Sequence, residues 1–169
     1  MSKPVTNPPE PIELRPITQE DLPFLERLYA STRHTELAPT GWSSEQKAAF
    51  LKMQFKLQHQ YYQSHFPNSR FDIVQASGSD IGRRYVNWAD DGLHIIDLAL
   101  LPEWCGRGIG TGMLKSLQSE AAASGKSVSI HVEHNNPAKS LYARLGFVEI
   151  ATDGVYQKLR WQSEKMTNN

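Results

Sequence analysis

One segment constrains the fold more than any other. It starts with an apolar run, Leu93–Leu101, and passes through a turn with glycine at positions 106, 108, 110 and 112. It ends in a stretch where Ile109, Met113, Leu114 and Leu117 recur at helical spacing. The run reads as a strand and the recurrence as the buried face of a helix. The glycines therefore fall where a strand gives way to a helix N-terminus. Glycine at every second position leaves main-chain N–H groups unshielded, and the helix dipole adds positive potential at the same place. The turn beginning near Cys105 is expected to hold a phosphorylated cofactor.

Two familiar glycine signatures fit poorly. A P-loop needs a Lys-Ser or Lys-Thr pair after its second glycine, and none follows. A dinucleotide turn needs Gly-x-Gly-x-x-Gly. Gly106 and Gly108 supply the first two, but Thr111 stands third, and a start at Gly108 puts Met113 there. Glu133, at the end of the next strand, does stand where that fold keeps its ribose-binding acid. A nucleotide-dependent oxidoreductase is thus weakened rather than excluded.

The rest of the chain organises around this unit. Met1–Pro11 carries four prolines and little hydrophobicity and reads as a disordered leader. Ile12–Ile17 predicts a strand. Thr18 with Asp21 then opens a helix bearing Leu22, Leu25, Leu28 and Tyr29 on one face. Ser43 with Gln46 opens a second helix, reaching about His65, with Phe50, Met53, Phe55 and Leu57 as its apolar side. Strands at Phe71–Val74, Ile81–Trp88 and Leu93–Leu101, separated by Gly78-Ser79 and Asp91-Gly92, predict an antiparallel meander. After the glycine turn come a helix (to about Ser124), a strand (Ser127–Glu133) and a helix from Pro137 to about Leu145. Strands Phe147–Ala151 and Val155–Trp161, joined at Asp153-Gly154, close the chain. The order predicts a mixed α/β sheet, in one domain over 12–162 with a polar tail at 163–169.

Composition removes several functions. The 169 residues suffice for one core, and 18 basic residues balance 18 acidic ones, so there is no cationic excess for a nucleic-acid backbone. No run approaches the ~18 apolar residues that span a bilayer. One cysteine allows neither an internal disulfide nor a cysteine metal cluster. No metal is expected, and a cytoplasmic protein is the default.

Leu98-Ala99-Leu100-Leu101-Pro102-Glu103, the turn Gly106-Arg107-Gly108-Ile109-Gly110, and Asn135-Asn136-Pro137-Ala138-Lys139-Ser140-Leu141-Tyr142-Ala143-Arg144-Leu145-Gly146-Phe147 together resemble the GNAT (GCN5-related N-acetyltransferase) family. The resemblance spans Ile12 to Trp161 in element order and is motif-specific over Leu93–Phe147. It implies the GNAT fold, a mostly antiparallel sheet of six to seven strands flanked by four helices. It also implies acetyl-CoA as cofactor and an amine of a small molecule or peptide as acceptor. The family turn is Gln/Arg-x-x-Gly-x-Gly/Ala. Cys105 stands where Gln or Arg is usual, which removes a side chain but not the amides of Cys105, Gly106, Arg107, Gly108, Ile109, Gly110 and Thr111. By the same resemblance Leu98, Ala99 and Leu100 offer main-chain bonds to the pantetheine arm, with Asn135 and Ala138 beside it. Asn135 could equally be a plain helix cap.

The chemistry of acetyl transfer then selects candidates. An amine near its usual pKa of ~10.4 must lose a proton before attack, which needs a base or a water chain. Asp97, an acid inside an apolar strand, is the first candidate. His94 and Glu133 are its rivals, and a wet face of the sheet is the plainer explanation of Asp97. The departing thiolate needs an acid. Tyr142 stands where the family keeps its catalytic tyrosine, although its ring could simply pack on the core. Cys105 is not expected to act as a nucleophile. For the acceptor, His34, Glu36 and Trp42 are candidate contacts, while Tyr61, Tyr62 and His65 face either the pocket or a homodimer partner. The competing function is a non-catalytic acyl-CoA-binding regulatory module.

Overall fold

The computed structural model describes residues 11–163. The expected leader, apart from Pro11, and the expected tail, apart from Ser163, lie outside the described residues. Seven strands form one sheet: β1 (Ile12–Pro16), β2 (Arg70–Ala76), β3 (Ser79–Ala89), β4 (Gly92–Leu100), β5 (Ser127–Glu133), β6 (Val148–Asp153) and β7 (Tyr156–Trp161). Their spatial order is β1-β2-β3-β4-β5-β7-β6. Only β4 and β5 run parallel; every other neighbouring pair is antiparallel. That one parallel pair follows from the helix α3 (Ile109–Ala123), which carries the chain back along the sheet between the two strands. Helices α1 (Leu22–Leu37) and α2 (Ser44–His65) cover one face, and α4 (Lys139–Arg144) follows β5. Among the described residues no helix is long and apolar enough to cross a membrane.

Packing places α3 on one side of the sheet, with Leu114 and Leu117 against Leu93, Ile95 and Val128. On the other side Leu25, Leu28 and Tyr29 of α1 and Phe55 of α2 meet Ile73 and Tyr85. The α2 face differs from expectation. Phe55 is buried, with Leu51 and Tyr62 packed beside it, whereas Met53 and Leu57 are exposed. Apolar residues occupy two helical stripes, and only tertiary contact selects between them. Two boundaries also shift. The closing hairpin turns at Gly154-Val155, and α4 begins at Lys139 with Pro137 ahead of its cap rather than inside it. The capping box Ser43/Gln46 is present, the Ser43 hydroxyl accepting from Gln46 N–H at 3.1 Å.

The feature that shapes the interior is a bulge in β4. Tyr85 of β3 lies opposite Asp97 and Val86 opposite Ile95, so Ile96 has no partner of its own. One extra residue rephases the strand. Leu93, Ile95, Leu98 and Leu100 all pack towards α3, while Ile96 and Ala99 pack towards α1 and α2. Asp97 joins that second side through its bond to Arg83.

Candidate active site

The parallel pairing of β4 and β5 stops at Ile95↔Ile130. Beyond it β5 stays paired to β7 as far as Glu133, and β4 stays paired to β3 as far as Leu100. The two strands therefore diverge, leaving the β5-facing edge of Ile96–Leu100 without a strand partner. A cavity of about 460 Å³ opens at the divergence, lined by Leu98, Ala99, Val132 and Glu133 from the strands and by residues of α1 and α2.

The glycine turn lies at the same end of β4. A short 3-10 turn, Pro102–Trp104, leads to Cys105, and Gly108 caps α3 with φ at 82°. Gly106 has φ at 77°. Both are left-handed values that cost L-residues about 1 kcal/mol or more, so glycine is required by the backbone. Gly110 and Gly112 are helical, and a Cβ on either would meet no atom within 4 Å. Nothing inside the protein demands glycine there; its effect is to keep the outer surface bare. The first bond into the helix runs from Gly112 N–H to the Gly108 carbonyl at 3.0 Å. The N–H groups of Ile109, Gly110 and Thr111 therefore have no intrahelical acceptor. Arg107 lies over the Trp104 ring at 4.4 Å. Cys105 is exposed, its Sγ 3.6 Å from the Leu101 carbonyl.

Asp97 is not a wet-face residue. It points between the sheet and α2, where Arg83 Nε and Nη2 both reach Oδ2, and Arg83 Nη2 also donates to Gln58 Oε1 at 2.8 Å. Burial alone would lower the Arg83 pKa, but Asp97 together with Tyr85 and Tyr62 offsets it and the pKa ends above its ordinary value. Glu133 also lines the cavity, and its carboxylate has no hydrogen-bond partner among the described residues. His94 is removed from this group. Its Nδ1 is 3.1 Å from Ser129 Oγ and its ring stacks on Phe66. Burial, then His131 and Lys158, push its pKa down to about 4, so it stays neutral near pH 7.

Tyr142 is buried and packs edge-on against Phe147, centroids 5.7 Å apart. Burial, then Asp97, push its pKa up to about 12. Asn135 and Asn136 both line the cavity. Asn135 does not cap the helix: Ala138 is the cap residue, and Asn136 Oδ1 accepts from Ala138 N–H at 2.8 Å in the turn ahead of it. Of the acceptor candidates, Glu36 lines the cavity. His34 and Trp42 do not; Trp42 packs on Phe50 at 5.1 Å on an exposed surface. Tyr62 faces the cavity, whereas Tyr61 is exposed and stacks on His65.

Sequence reasoning missed Arg33, Gln58, Arg83 and Tyr156 in the cavity wall. Arg83 did leave a signal. It interrupts an apolar stretch just as Asp97 does, and a buried guanidinium in one strand calls for an acid in the next.

Residues 67–149 match the family model described as the acetyltransferase (GNAT) domain. Comparison with curated proteins gives no match. Among solved structures, the chain is similar to the PaiA N-acetyltransferase of Thermoplasma acidophilum, solved in complex with coenzyme A. The TM-score is 0.67 at 21% identity, covering 90% of this chain and 99% of that one. An acetyltransferase from Thermus thermophilus gives a TM-score of 0.64 at 18% identity, over 90% and 97%. RimJ of Mycobacterium smegmatis, in complex with CoA-disulfide, gives 0.59 at 18%, over 92% and 83%. At these identities the likeness is one of fold.

Proposed function

This chain carries a GNAT acetyltransferase domain, and from that premise we propose that it is an acetyl-CoA-dependent N-acetyltransferase. In this reading the acetyl group goes to a primary amine of a small molecule or peptide by direct attack in a ternary complex. The observation that carries the proposal is the divergence of β4 from β5 after Ile95, beside the uncovered N-terminus of α3.

The residues fit the cofactor on three counts. The amides from Gly106 to Thr111 suit a diphosphate. The bare surface over Gly110 and Gly112 admits a close neighbour. The unpaired edge of Leu98, Ala99 and Leu100 suits the amides of a pantetheine arm, with Asn135 in the same cavity wall and Ala138 taken to lie beside it. When bound, acetyl-CoA supplies the thioester carbonyl. An amine near its usual pKa of ~10.4 arrives protonated. Glu133, whose carboxylate has no hydrogen-bond partner among the described residues, takes that proton directly or through water. Asp97 holds Arg83, and through it Gln58, in register behind the cavity. Tyr142 keeps its proton at neutral pH and so has one to hand to the departing sulfur.

Release of free thiol from acetyl-CoA over a panel of amines tests the reading. Tyr142→Phe is expected to lower kcat by about a hundredfold, the scale of a lost general acid. Undiminished turnover would remove that role. Saturating coenzyme A is expected to shield Cys105 from alkylation, and an unchanged labelling rate would move the diphosphate elsewhere. A folded chain that binds coenzyme A but acetylates nothing would favour the regulatory-module reading. We take the chain to work in the cytoplasm, where its single exposed thiol suits a reducing compartment.

A further inference from the structure

Among the described residues, the most loosely paired cation of the cavity wall is Arg33, whose one ion pair is an exposed one worth little. Arg33 of α1 approaches Glu36 only at 3.3 and 3.5 Å on an exposed rim and lies over the Tyr29 ring at 5.4 Å. The other cation of the wall, Arg83, is fully engaged by Asp97 and Gln58. His131 is held below its ordinary pKa by burial and Lys158, so it adds no charge near pH 7. On the anionic side Asp97 is taken by Arg83 and Glu36 meets Arg33 from the exposed rim, while the Glu133 carboxylate has no hydrogen-bond partner among the described residues. Glu133 lies within electrostatic reach of Arg33, yet no ion pair within 4 Å joins them among the described residues. A guanidinium and a carboxylate thus face the same space without bonding each other.

An acceptor carrying only positive charge would satisfy Glu133 and be repelled by Arg33. An amine that also bears a carboxylate gives each residue its opposite: its ammonium faces Glu133, and its carboxylate meets the fork of Arg33, which suits two-point recognition. At about 460 Å³ the cavity is at the small end of ligand clefts, which run from about 300 to 1,000 Å³. Thr32, Gln58 and Asn136 add polar wall. The geometry points to a free α-amino acid, or a compound with the same zwitterionic head, as the acceptor, with Arg33 as the residue that selects it. This rests on the acetyl-transfer reading above. In the net reaction one acetyl group moves from sulfur to nitrogen, and the ammonium gives up two protons, one to Glu133 and on to solvent and one to the departing sulfur. The products are an N-acetyl amino acid, a free thiol and one released proton, with nothing oxidised or reduced.

The test compares L-amino acids with their carboxamides and with spermidine, reading thiol release and product mass. In parallel, titration calorimetry on the protein loaded with coenzyme A measures acceptor binding without turnover. The amino acids are expected to exceed their carboxamides in kcat/KM by about tenfold or more, the scale of a hydrogen bond to a charged partner. Arg33→Gln is expected to bring that ratio towards one, and Arg33→Lys to restore part of it. Equal or faster acetylation of carboxamides or spermidine would overturn the inference, as would an Arg33→Gln variant that keeps the ratio. Amino-acid binding without any turnover would uphold the selection by Arg33 and end the catalytic reading instead. Neither binding nor turnover of any amino acid would overturn the inference, while turnover of other amines would leave the acetyltransferase standing.

Discussion

Arg83 and Arg84 are neighbours on β3, and each is only 4% exposed. They face opposite sides of the sheet and differ in almost everything else. Arg83, towards α1 and α2, gives directed hydrogen bonds to Asp97 and Gln58. Arg84, towards α3, has Nη2 3.8 Å from Asp72, and its Nε and Nη2 have no hydrogen-bond partner. Burial, then nearby Arg70, push the Arg84 pKa below its ordinary value, whereas that of Arg83 ends above it. Residue type, strand and burial are the same, so the difference lies in partner geometry. A buried charge with directed bonds is costly to unpair, and one held only at a distance returns little for its desolvation. The well-made pair stands behind the cavity, where it positions the polar wall.

The comparison predicts a large effect at Arg83. Arg83→Met leaves Asp97 without its partner and is expected to cost about 3–5 kcal/mol in urea unfolding. A loss under about 1 kcal/mol would break the contrast. Asp97→Asn keeps the shape but removes the charge opposite Arg83, and about 1.5–3 kcal/mol is expected, read the same way. The third prediction concerns His94, also on the cavity side of the sheet. Its folded pKa of about 4 lies below the unfolded value of ~6.5, so between the two the unfolded chain binds the extra proton. Stability is therefore full above about pH 6.5 and falls as the pH drops towards 4. His94→Gln is expected to flatten thermal stability across that window, and an unchanged slope would assign the loss to other groups. The smallest effect belongs to Arg84. Arg84→Met is expected to change stability by less than about 1 kcal/mol, or to raise it. A loss as large as that of Arg83→Met would make the two arginines equivalent and end the argument.

Much of the fold could be read from spacing. Alternation in Phe71–Leu101 was enough for the meander, because period two and the Asp91-Gly92 turn agree there. The glycine turn was legible because its role belongs to the main chain, which sequence reports through the absence of side chains. The acceptor side is built from side chains that converge from α1, α2, β3 and β5, and no local pattern records such convergence. Met53 and Leu57 illustrate the limit. They obey helical spacing as well as Phe55 and Tyr62 do, and only the sheet beneath distinguishes them. Asn135 is another case, since on paper it could cap the helix, whereas Ala138 is the cap residue and Asn136 takes the Ala138 N–H in the turn ahead of it.

The unpaired Ile96 in β4 has a consequence for how this protein can vary. Leu93, Ile95, Leu98 and Leu100 form one continuous aliphatic floor despite an odd step in their numbering, and the residue at 97 emerges on the far side. Substitution at 97 can therefore alter what the cleft offers without disturbing that floor. Deleting Ile96 would abolish the bulge and restore strict alternation, leaving Ile95, Leu98 and Leu100 on that floor and Asp97 on the far side. The extra residue therefore sets the local bend and twist of the strand, while the sorting of its two faces would survive without it.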